Sequence, residues 1–117
     1  MQLIFIIIKQ HNKVDDLMLA LANAGIHGAT IIESSGMAQS LYKLESMPSV
    51  DILRHILNKE DANASQTILI AVEEDKIDTV RETTKEVLGD MDAPNAGVMF
   101  GVPISFTEGI WFFCLYF

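Results

Sequence analysis

Two stretches of the chain follow one plan. The apolar run from Gln2 to Lys9 leads into Asn12-Lys13-Val14-Asp15, a helical stretch that stops at Gly25, and a strand around Thr30. Farther on, Gln66 to Val72 leads into Asp75-Lys76-Ile77-Asp78, a helical stretch that stops at Gly89, and a strand around Met99. A strand, a helix opened by a similar tetrad and a second strand, occurring twice, predict two βαβ units in a single α+β domain spanning 1–117. The expected architecture is ferredoxin-like, βαβ-βαβ. It has a four-stranded antiparallel sheet with both helices on one face, and a long loop carrying a short helix between strands 2 and 3.

The strands depart from the alternation that such a sheet needs. With helices on one face only, apolar and polar residues should alternate. Instead Leu3, Phe5 and Ile7 oppose Ile4, Ile6 and Ile8, and Ile68 to Val72 is apolar on both sides. Both faces are therefore expected to be buried. One chain has only two helices to offer, so the second face calls for a homo-oligomer.

Within the helices, Val14, Leu17, Met18, Leu21 and Ala24 form one apolar stripe, and Ile77, Val80, Thr84, Val87 and Leu88 form the other. Asn12 and Asp75 are the expected N-caps, with Gly25 and Gly89 as stops. Arg81 with Lys85 and Glu82 with Glu86 are like-charge pairs one turn apart, which reads as a solvated face with no functional content.

The segment from Gly36 to Ser65 greatly exceeds a hairpin turn. Pro48-Ser49 opens an amphipathic stretch in which Val50, Leu53, Ile56 and Leu57 would dock a partner. Its flanks are small and polar, so the loop is expected to be mobile outside 50–57. The far end, 110–117, is uniformly apolar and aromatic. It is expected to pack against the sheet or a neighbouring subunit.

Charge and motifs exclude several functions. A net charge of −8, with Lys and Arg numbering 8 and nowhere clustered, argues against nucleic acid. No apolar run approaches the ~20 residues of a membrane span, so no membrane insertion is expected. The lone cysteine, Cys114, fits a reducing cytoplasm. There is no Gly-x-Ser-x-Gly, Walker, His-Glu-x-x-His or Cys-x-x-Cys motif, and Ser34-Ser35-Gly36 has no evident base. The expectation is no enzyme and no catalytic residue. His11, His27 and His55 lack metal-ligand spacing, and Asp90 with Asp92 would supply only two ligands, so no metal site is assigned.

Several segments, taken in order, resemble the nitrogen-regulatory P-II proteins and their P-II-like relatives. They are Ile7-Ile8-Lys9, Val14-Asp15-Asp16, Ala24-Gly25-Ile26-His27-Gly28-Ala29-Thr30, Gly36 at the loop base, and Gly97-Val98-Met99-Phe100. The resemblance covers residues 1 to about 110, most of 40 to 65 excepted. It implies a cytoplasmic homotrimer that senses a small ligand in clefts between subunits and regulates a partner protein through the 36–65 loop. It also implies a ligand pocket with Ile7, Thr30 and Gly36 at the adenine and ribose, and Met37, Ala38 and Gln39 at the loop base. Gly89, Asp90, Asn95 and Gly97 would come from the loop before the last strand.

The family's basic positions in Gly89–Gly97 and Ser105–Glu108 hold no Lys or Arg. A triphosphate is usually held by such residues. An adenine nucleotide is implied by the resemblance alone, and the residues themselves name no cofactor and no regulated target. Two alternatives stand beside the sensor. One is a structural interaction protein that kept the trimer and lost nucleotide sensing, and the other is a metal-binding protein like the divalent-cation-tolerance proteins, which share the fold.

Overall fold

A computed structural model describes residues 1–37, 40, 64–93 and 97–110. Strands β1 (Gln2–Ile8), β2 (Thr30–Ser34), β3 (Ser65–Val72) and β4 (Val98–Pro103) form one sheet in the order β2-β3-β1-β4. Every neighbouring pair is antiparallel. Helix α1 (Val14–Asn23) connects β1 to β2, and α2 (Ile77–Leu88) connects β3 to β4. Each crossover skips one strand, so the two βαβ units interlock as expected. The expected short helix in the loop lies outside the described residues.

Alternation along the strands decides which side the helices cover. Ile4, Ile6, Ile8, Ile68, Ile70 and Val72 face the helices and are buried. They meet Val14, Leu17 and Leu21 of α1 and Val80 and Leu88 of α2 in one cluster. Each such side chain contributes about 1.5–3 kcal/mol on leaving water. The opposite face stays partly open in a single chain: Ile32, Val98, Phe100 and Val102 are all exposed. Burial of both faces is therefore not achieved within one subunit.

The helices start differently from expectation. Neither Asn12 nor Asp75 is an N-cap, because each lies inside a 3-10 turn, His11–Lys13 or Glu74–Lys76, directly before its helix. Lys13 and Lys76 take the cap positions without a side-chain hydrogen bond. The tight turn closes backbone bonds from Lys13 N–H to the Gln10 carbonyl and from Lys76 N–H to the Glu73 carbonyl, both 3.0 Å. Donors that a cap would otherwise satisfy are thus partly used by the turn itself. At the far end of α1, Ile26 N–H bonds the Leu21 carbonyl at 2.9 Å and Gly25 N–H bonds the Ala22 carbonyl at 3.1 Å. This is the Schellman arrangement, which ends the helix as expected at Gly25.

One buried group in α2 is out of balance. Thr84 is 0% exposed, and its hydroxyl has no hydrogen-bond partner among the described residues. A desolvated hydroxyl without a partner costs about 1–3 kcal/mol. Thr84→Val keeps the branched shape and removes that cost. The expected result is a gain of about 1 kcal/mol in urea unfolding, read as a higher midpoint at constant slope.

Candidate functional site

One end of the sheet gathers most of the residues expected to bind a ligand. There β1 and β2 finish while β3 and β4 begin, and Ser34 pairs with Ser65 beside the Ile8–Gln66 pair. The long loop therefore leaves and returns at this end. Its roots are fastened by hydroxyls: Ser34 Oγ lies 2.8 Å from both Ser65 Oγ and Thr67 Oγ1, and Ser65 Oγ donates to the Ser34 carbonyl at 3.2 Å. Just beyond, Ser40 N–H bonds the Gly36 carbonyl at 3.1 Å.

The loop that follows α2 ends at the same place. Asp90 is committed locally, since its carboxylate accepts from Asp92 N–H at 3.0 Å and its carbonyl accepts from Ala93 N–H at 3.1 Å. This turn explains the aspartate by backbone geometry. Gly97 then passes so close to β1 that a Cβ placed on it would lie 2.6 Å from the Ile7 carbonyl oxygen.

Ile7 and Gly97 are therefore in contact, as a shared site requires. Thr30 is not at the sheet end: it pairs with Leu69, which pairs with Phe5, one row deeper on the open face. Gly36 and Met37 leave from β2, two strand spacings or about 9–10 Å from β1. Met37 is exposed. Gly89 and Asp90 are likewise exposed, at the end of α2. Ala38, Gln39 and Asn95, and the docking residues Val50, Leu53, Ile56 and Leu57, lie outside the described residues.

A cavity of about 260 Å³ opens beside this loop, lined by Arg81, Lys85, Met91, Asp92, Gly97 and Val98. Two cations thus border a loop that has none of its own. Reading the Arg81–Lys85 face as functionally empty missed this, because the pair was judged within its helix and not against the loop that helix feeds. The usable signal was spacing: both residues sit one turn apart in the last turns before Gly89. Arg81 also contacts Asp78 at 3.5 Å, but both side chains are largely exposed, so the pair is weak and leaves the guanidinium available. A second cavity, about 300 Å³, continues along the same helix past Arg81 to Gln2 and Gly101.

Among the described residues, no group of three or more His, Cys, Asp or Glu is placed to hold a metal ion. No helix among them is long and apolar enough to cross a membrane.

Two interlocked βαβ units around one antiparallel sheet define a ferredoxin-like α+β domain. The family profile of nitrogen regulatory protein P-II matches residues 1–110, and the chain belongs to that family. Its members are signal-transduction regulators, not enzymes, and are typically trimers. No match is found among curated proteins.

Proposed function

We propose that this chain is a trimeric P-II-type sensor, in which a small ligand bound at the sheet end is reported to a partner protein by the 36–65 loop. The observation that carries this reading is the shared location of the loop roots, Ser34 and Ser65, with the Ile7–Gly97 contact. A ligand seated against Ile7 and Gly97 would touch the place from which the loop emerges. Within one subunit Ile7 and Thr30 lie on the open sheet face, so a second copy would be needed to close the pocket. The open face itself supports that assembly, since its apolar row would otherwise remain in water.

The charge pattern bears on the ligand. Arg81 and Lys85 are the cations lining the cavity, and Asp92 lies among them. Two cations beside a carboxylate suit a ligand with fewer negative charges than a triphosphate, which carries about three to four and is usually held by several Arg or Lys groups. Titration calorimetry with adenosine mono-, di- and triphosphate is expected to rank the triphosphate no tighter than the monophosphate. Arg81→Ala should weaken whichever nucleotide binds. No heat from any of the three, nor from cyclic dinucleotides or bicarbonate, would sink the sensor reading.

The same charge pattern favours a second reading, a trimeric interaction protein that has lost nucleotide sensing. Partner capture with and without nucleotide separates the two. A sensor captures its partner in a ligand-dependent way, whereas a structural protein does so equally in both conditions.

A further inference from the structure

The end of the sheet opposite the proposed ligand site holds a cavity of about 280 Å³. Its walls are mostly apolar: Ile26 and Gly28 come from the α1–β2 connection, Ala71 and Val72 from the end of β3, and Met1 and Ile110 close the sides. Ile26, Ala71 and Val72 are each buried. An engineered apolar cavity of about 150 Å³ is enough to take benzene, so this one has room for a larger aromatic ring.

The course of the chain leads into it. After β4, Ile104 N–H bonds the Met1 carbonyl at 3.1 Å, which ties the strand exit to the sheet end. The backbone then turns at Gly109, where φ is +75° and no atom would crowd a Cβ. Glycine there is a matter of conformation and not of space. Immediately after the turn Ile110 lines the cavity. The next residues are Trp111-Phe112-Phe113-Cys114-Leu115-Tyr116-Phe117, without one charge. They also follow the last residue matched by the P-II family, so nothing in the family pattern accounts for them.

We propose that the 111–117 tail folds back onto its own subunit and seats Trp111 in this cavity, between Ile26 and Val72. Ile110 is already part of the wall, so the backbone that carries Trp111 starts within one residue's span of the recess, about 3.3–3.6 Å. The match is chemical as well as spatial. An apolar aromatic segment left in water invites association, and this apolar recess begins where the segment does. Glu73 at the cavity supplies a carboxylate to which the indole N–H can donate at its edge.

The chain has a single tryptophan, which makes the test direct in the full-length protein. Trp111 emission is expected to lie well to the blue of free tryptophan, with acrylamide quenching reduced severalfold. Nuclear Overhauser contacts are expected from the indole to the methyls of Ile26 and Val72. Val72→Phe narrows the recess from the wall that faces the helices, so it should shift the emission to the red and restore quenching while the far-ultraviolet circular dichroism stays unchanged. Solvent-like emission from the unaltered chain would overturn the assignment. So would indole contacts to Phe5, Leu69 or Ile32, which would place the tail on the open sheet face. Blue emission that survives Val72→Phe in a folded chain, or shifts of the Ile26 and Val72 methyls on adding free indole to the unaltered chain, would equally show another occupant. Should Val72→Phe not fold, the Overhauser pattern of the unaltered chain decides alone.

Discussion

Replacing Gly97 with alanine is expected to cost about 2–4 kcal/mol of folding stability, a large share of the roughly 5–15 kcal/mol that holds a domain of this size. Two effects combine. The backbone there has φ +116°, a conformation that side chains rarely adopt, and the new Cβ would sit 2.6 Å from the Ile7 carbonyl oxygen. That oxygen belongs to β1, the strand that pairs with both β3 and β4, so it cannot withdraw without disturbing the sheet. Gly101→Ala is the matching control. Its Cβ would lie 2.7 Å from Gln2 Oε1, the far end of a flexible side chain that can swing away, and its φ is unexceptional. Urea denaturation should therefore show a large drop for Gly97→Ala and about 1 kcal/mol or less for Gly101→Ala. Equal losses would mean that the approach to Ile7 is not what selects glycine at 97.

The fold was legible because strand, helix and strand repeat, and because interior positions of both helices are apolar at helical spacing. What escaped the sequence was local or long-range. Asn12 and Asp75 have good cap chemistry, yet 3-10 turns that the residue types do not announce take up the backbone donors first. Thr83 is buried beside Thr84 although the apolar stripe passes it by, because the width of the covered face depends on the sheet beneath and not on the helix alone. At the site, Ile7 and Gly97 could be named from a family pattern, but the closeness of their backbones appears only when β4 is laid against β1. Arg81 and Lys85 were visible as residues and invisible as neighbours of the 89–97 loop. That relation is tertiary, and no periodicity within a helix encodes it.

Phe100→Glu is expected to reduce the mass in solution from about three times 13.0 kDa to 13.0 kDa at micromolar concentration. Phe100 stacks on Phe5 with ring centroids 4.9 Å apart and planes 13° from parallel, yet it remains 47% exposed in one subunit. Val98 and Val102 flank it on β4, while Leu3 and Ile7 flank Phe5 on β1, so the rings sit within an apolar field on the face opposite the helices. In an isolated subunit the substitution would forfeit a half-exposed aromatic pair, worth about 0.5–1.5 kcal/mol beyond the area it buries. Against a second copy of the same face it would strand a carboxylate without a partner, at a cost of about 3–5 kcal/mol or more. Leu19→Glu provides the contrast. Leu19 is more exposed, at 64%, but it projects from α1 on the other side of the sheet, so its substitution should leave the mass unchanged. Light scattering on the three proteins decides the matter. An unaltered chain that is already monomeric, or a Phe100→Glu chain that keeps the full mass while Leu19→Glu loses it, would move the interface away from the sheet and leave its apolar face to some other cover.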